Sequence, residues 1–118
     1  MKLFAWIILL IPMFIGGCFR EEDLGYPKKV FFTPEGGTQI IEGNTRIMPE
    51  IEVGHDAVGA YYQDDDSICV KYEWLHVNAS TTEPKITLTV PPSDVKKRKL
   101  KIRGTSAMEY CEIMVYQQ

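Results

Sequence analysis

Residues 68–75 read Ile-Cys-Val-Lys-Tyr-Glu-Trp-Leu, and the spacing of their apolar groups decides the fold. Ile68, Val70, Tyr72 and Trp74 alternate with Cys69, Lys71, Glu73 and Leu75. Successive side chains of a strand point to opposite faces, so the stretch predicts a strand with four large apolar groups on one side and charge on the other. That pattern suits a central strand, with Trp74 as the core tryptophan of a sandwich.

The same period recurs on both sides. Ile86, Leu88 and Val90 alternate with Lys85, Thr87 and Thr89, and Leu100 and Ile102 alternate with basic residues between Lys99 and Arg103. In the last run, 110–117, Cys111, Ile113 and Val115 share one face, while Tyr110, Glu112, Met114 and Tyr116 share the other. Toward the N-terminus, shorter runs cover 29–33, 38–42 and 46–53, the last with Pro49 as a break. Turn residues separate them: Pro34-Glu35-Gly36-Gly37, Glu42-Gly43-Asn44, Asp64-Asp65-Asp66, 81–84, Pro91-Pro92-Ser93-Asp94 and Gly104-Thr105-Ser106. No heptad, long helical stripe or internal repeat competes with this pattern. The expectation is an all-β protein, a single immunoglobulin-like antiparallel β-sandwich of about seven strands.

The N-terminus reads differently. After Lys2, an uncharged apolar run of fifteen residues, Leu3 to Gly17, ends at Cys18. It is shorter than the roughly 20 residues of a membrane span and fits a helical secretory signal peptide, residues 1–17. Ile15-Gly16-Gly17-Cys18 resembles a bacterial lipobox: small residues admit the backbone to a signal peptidase, and the cysteine becomes an acylated mature N-terminus. Several acyl chains, at about 0.8 kcal/mol per buried methylene, would anchor it stably to a membrane. Residues 18–27, with Gly25 and Pro27, read as a flexible tether, and 28–118 as the domain. Phe19-Arg20-Glu21-Glu22-Asp23 is similar to the acidic tract of surface-exported Bacteroidetes lipoproteins, and equally reads as a solvated charged linker.

The remaining 101 residues, 18–118, suit one domain and bury about 65% of their unfolded surface without obligatory staples. Loss of Lys2 leaves 12 basic against 16 acidic side chains, a net charge of −4, which does not call for nucleic acid.

Four segments taken together carry a resemblance. Phe32-Thr33-Pro34-Glu35-Gly36-Gly37-Thr38, Tyr72-Glu73-Trp74-Leu75-His76-Val77, Ile86-Thr87-Leu88-Thr89-Val90-Pro91 and the closing Arg98 to Gln118 segment look like the BACON domain. Its marks are an early Gly-Gly before a strand, a mid-domain Trp followed by a Val, a strand ending near a proline, an Arg entering the penultimate strand and a Gln ending the last. The chain departs from the pattern in a long polar stretch, 46–66, and in Pro91-Pro92. The resemblance implies an immunoglobulin-like sandwich of Bacteroidetes surface proteins that either binds carbohydrate or acts as a spacer.

Little in the sequence points to catalysis, and an enzyme is not expected. His55 and His76 lack zinc spacing, and no nucleophile elbow, phosphate loop or HExxH motif occurs. Asp64, Asp65 and Asp66 lack the alternation of a calcium loop and read as a solvated turn. No metal or cofactor is expected. Sugars present apolar C–H faces that stack on flat rings while amides and carboxylates bind their hydroxyls. Tyr61, Tyr62 and Gln63 are the candidate ligand-binding residues on that ground, set against the plainer reading of one core and one surface tyrosine. Lys96, Lys97, Arg98, Lys99, Lys101 and Arg103 hold half of the basic charge of 18–118. They could meet an anionic partner, but read better as a strand charged against edge-to-edge pairing. A Cys69–Cys111 disulfide would close a loop of some 40 residues and contribute about 4 kcal/mol. Strand parity puts Cys69 on a charged face and Cys111 on an apolar one, so a bond needs a bulge or another register.

Two functions follow as expectations. One is a lipid-anchored, surface-exposed outer-membrane lipoprotein whose sandwich binds a polysaccharide. The other is a structural or accessory subunit contacting another envelope protein.

Overall fold

The structure, a computed structural model, describes residues 20–94 and 97–118; the expected signal peptide and Cys18 lie outside them. Eleven strands form two sheets: β1 (Arg20–Glu21), β2 (Lys29–Phe32), β3 (Gly37–Glu42), β4 (Met48–Val53), β5 (Asp56–Val58), β6 (Ala60–Gln63), β7 (Ser67–Tyr72), β8 (Leu75–Ser80), β9 (Lys85–Val90), β10 (Arg98–Ser106) and β11 (Glu109–Gln117). One sheet runs β1-β11-β10-β4-β5, with β2 also on β11; the other runs β3-β9-β8-β7-β6. Pairing is antiparallel except along β11, where β1 takes Glu109 and Tyr110 and β2 takes Met114 to Gln117, both in parallel. The chain is an all-β, immunoglobulin-like sandwich.

Each of the seven runs expected from period-two spacing contains a strand. Between the sheets lie Val30, Phe32, Ile51, Val70, Val77, Ile86, Leu88, Ile102, Ile113 and Val115, all buried. The run through Trp74 is not one strand, however. Tyr72 pairs directly with Leu75, so Glu73 and Trp74 form a two-residue hairpin turn, with Glu73 at φ 52. The apolar phase slips by one across it: Ile68 and Val70 face inward before the turn, and Leu75, Val77 and Ala79 after it. Leu75, expected on the charged face, is fully buried, and His76 takes the exposed position. Trp74 is buried as expected, at the turn itself.

Three further expectations are corrected. Pro49 does not break its strand; it sits buried inside β4 opposite Gly104, where β5 has already ended and a missing N–H is tolerated. β10, expected to be charged as an edge, lies between β11 and β4. Residues 20–27 do not form a free tether. β1 pairs with β11, and Tyr26 is 4% exposed, its hydroxyl donating to the Thr45 carbonyl at 2.8 Å.

One buried polar side chain joins the far end of the sandwich. Gln117 is 3% exposed; its Nε2 donates to the carbonyls of Pro91 (2.9 Å), Thr33 (3.1 Å) and Pro34 (3.4 Å), while its Oε1 accepts from Arg98 Nε at 2.8 Å. The Arg98 guanidinium lies 4.7 Å from the centre of the Trp74 ring, a cation–π contact. Gly36 closes the same corner. Its φ of +75 suits glycine, and a Cβ there would stand 2.2 Å from the Val90 carbonyl oxygen. In a Gln117→Leu variant the Thr33 and Pro34 carbonyls keep the amides of Gly36 and Ser93, but the Pro91 carbonyl and Arg98 lose their Gln117 partner. The expected cost is about 1–3 kcal/mol, seen as a lower urea midpoint with an unchanged slope.

Burial pushes the Tyr26 phenol up to about 12, with the neighbouring Cys111 adding to it. An unfolded tyrosine titrates near 10. The folded state therefore holds this proton more tightly, and the stability it contributes is complete below about pH 10 and lost as pH rises toward about 12. Lys101, held protonated by Glu112 and Glu52, is lost in the same direction. Tyr26→Phe leaves Lys101 in place, so the difference in melting temperature between wild type and Tyr26→Phe should shrink across this window. A difference independent of pH would contradict the assignment.

Candidate functional site

Tyr61 and Tyr62 both lie on β6, the edge strand of the five-stranded sheet, and both are exposed, at 53% and 61%. Alternation sends them to opposite faces. Tyr61 pairs with inward-facing Val70, whereas Tyr62 pairs with Cys69 on the outer face. The two rings therefore form no common platform. Tyr61 instead teams with Gln63, to whose Oε1 its hydroxyl donates at 3.2 Å. That bond orients the amide and leaves its Nε2 as a donor to solvent.

Tyr61 borders a cleft of about 200 Å³ at the open edge where β4, β5 and β6 meet, together with Met48, Glu50, Val58 and Val70. β5 and β6 belong to different sheets, and the chain crosses between them at Gly59. At this rim the chain leaves one sheet for the other, and Tyr61 stays half exposed despite its inward parity. An exposed ring and an oriented amide are the kinds of group that stack on a sugar face and bind its hydroxyls.

The outer face of the six-stranded sheet carries charge and aromatic groups in rows. Lys101 sits between Glu52 (3.0 Å) and Glu112 (2.9 Å), and Arg103 reaches Glu52 at 3.6 Å. The hydrogen bond from Lys101, with Arg103 in support, holds the Glu52 carboxyl below its ordinary value. Arg103 also lies 4.2 Å from the centre of the Tyr110 ring. The basic residues of β10 thus balance carboxylates on neighbouring strands.

Nearer the end of the strand the balance changes. Tyr116 pairs with Lys99 and with Phe31, whose ring stacks on it at 5.0 Å between centres. Lys97, Arg98, Lys99, Tyr116 and Gln118 line a groove of about 410 Å³, and among the described residues neither Lys97 nor Lys99 is ion-paired. The sequence shows the lysine run and the outward tyrosines separately; only the strand register makes them neighbours.

His55 and His76 are both exposed, on the β4–β5 turn and on β8, and among the described residues no three His, Cys, Asp or Glu side chains form a metal site. Cys69 and Cys111 are free thiols on different sheets, Cys69 facing outward and Cys111 buried, so the disulfide considered above does not form. Their opposite strand parities account for the separation. Burial raises the Cys111 thiol above its ordinary value. In native protein a thiol reagent should modify Cys69 readily and Cys111 only on unfolding; equal rates for the two would contradict this placement.

No protein-family model matches the chain, and no curated protein does. A solved structure similar in fold is the NMR structure of a protein from Bacteroides thetaiotaomicron: TM-score 0.57, 11% identity, over 82% of this chain and 85% of that one. At this identity the likeness is one of fold alone.

Proposed function

We propose that the protein is a lipoprotein of the bacterial outer membrane, acylated at Cys18 and exposed at the cell surface, whose non-catalytic sandwich binds a glycan at the Tyr61 rim. The observation that carries the binding reading is the half-exposed Tyr61 ring, its hydroxyl hydrogen-bonded to Gln63, at the edge of a cleft between β4, β5 and β6. The anchor rests on the sequence, on the short apolar run ending in Gly16-Gly17-Cys18. Membership of the BACON family is part of the same reading. Its support is that four marks of the resemblance, Gly36, Trp74, Arg98 and Gln117, converge on one corner of the fold.

A glycan array probed with the protein tests the reading. Tyr61→Ala should weaken binding roughly tenfold, equivalent to about 1.4 kcal/mol, while Tyr62→Ala, on the opposite face, should leave it unchanged. A silent array, or binding indifferent to Tyr61→Ala, would overturn the glycan reading. If crosslinking in the envelope then captured a protein, the accessory-subunit reading would take its place.

A further inference from the structure

The way residues 20–26 are folded onto the domain constrains how an anchored sandwich can stand on its membrane. Arg20 N donates to the Met108 carbonyl at 2.9 Å, and Glu22 N donates to the Tyr110 carbonyl at 2.8 Å. The pairing is parallel, so the chain enters the fold beside the β10–β11 turn and runs away from it. The Arg20 side chain adds ion pairs to Glu22 and Glu109, each at 3.1 Å. Buried Tyr26 secures the far end of the segment. From Cys18 to Arg20 is two residue steps, at most about 7 Å. A lipid on Cys18 therefore holds the β10–β11 turn at the bilayer surface unless β1 is peeled away.

That turn is built for such a position. Residues 104–108, Gly-Thr-Ser-Ala-Met, carry no charge, Met108 is 55% exposed at the tip, and Met48, opposite Thr105, is 47% exposed on the next strand. Glu22 and Glu109, which flank it, share the one guanidinium of Arg20, so the three side chains carry a single net negative charge. The other sheet ends at the same pole in a different character. The loop holding Asp64, Asp65 and Asp66 is tied through Thr81 to Arg46 of the β3–β4 loop. Its three carboxylates repel an anionic surface and tilt that sheet outward.

We propose that the β10–β11 end of the sandwich docks on the membrane, with Ala107 and Met108 seated in the interfacial layer and the Gln117 pole facing outward. The inference rests on acylation of Cys18 as read above. A tip of this size adds little affinity beside the acyl chains; its effect is to replace a swinging domain by an oriented one. The occupant is lipid because the covalent reach from the anchor leaves room for nothing else beneath the turn.

The test uses the full chain, acylated in cells and reconstituted into phosphatidylethanolamine–phosphatidylglycerol vesicles with brominated acyl chains. In a Cys69→Ser background, an environment-sensitive fluorophore is attached at Met108→Cys, at Ser106→Cys as a second position on the same turn, or at His55→Cys at the opposite pole. Circular dichroism confirms folding of each. The expected result is quenching at 108 and 106 and none at 55, with quenching at 108 abolished by Glu22→Pro, which removes the amide bonded to Tyr110. If mass spectrometry shows acylated Cys18 but 108 is quenched no more than 55, the docking is overturned while the anchor stands. If Cys18 is not acylated, the anchor itself is overturned, and the docking with it.

Discussion

The side-chain amide of Gln117 is the constraint on which one end of this sandwich depends. Three segments distant in sequence meet there: the end of β2 and the β9–β10 loop present the Thr33, Pro34 and Pro91 carbonyls, and the start of β10 presents the Arg98 guanidinium. A buried polar group without a partner costs about 1–3 kcal/mol, and the buried Gln117 amide has both ends engaged, its Nε2 donating to the Pro91 carbonyl and its Oε1 accepting from Arg98. Arg98 then lies over Trp74, and Trp74 marks the turn at which β7 becomes β8. Local chain reversal and long-range closure are thus joined through two side chains.

At the opposite pole the parallel pairing of β1 with β11 does comparable work with backbone groups. β1 and β2 together cover the outer edge of β11, which would otherwise present unpaired amides and carbonyls to another chain. The result is a domain with two different ends. One receives the N-terminal segment and is uncharged at its tip. The other carries the Gln117 corner, with Lys97, Lys99 and the Phe31–Tyr116 pair beside it. The Tyr61 cleft opens on the side between them, where the chain changes sheets.

Much of the fold is legible in the period of the apolar residues, because a strand buried on one face must alternate. The burial of Ile113 and Val115, of Ile86 and Leu88, and of Leu100 and Ile102 follows from spacing alone. Reading fails where the phase changes without a turn signature: Glu73 and Trp74 contain no Gly, Pro, Asn or Asp, so the alternation of β7 runs into that of β8 unbroken, and Leu75 lands on the wrong face. β5 and β6 are harder still, being short, polar and exposed at the rim. Of the candidate site, Tyr61 and Gln63 are found together, but Tyr62 is separated from them by the same alternation that located the strands.

The sequence by itself determines an all-β sandwich, most of its inward-facing residues and the unusual N-terminal run ending at Cys18. These are properties of neighbouring residues and of periods that local backbone geometry enforces. Only the tertiary structure decides that β10 is central rather than an edge, that Cys69 and Cys111 stay apart, that Gln117 is buried among carbonyls, and that residues 20–26 lie along β11. Each of these depends on which strands are neighbours and in what register, and neighbours are chosen by the packing of the whole core, which no single segment encodes.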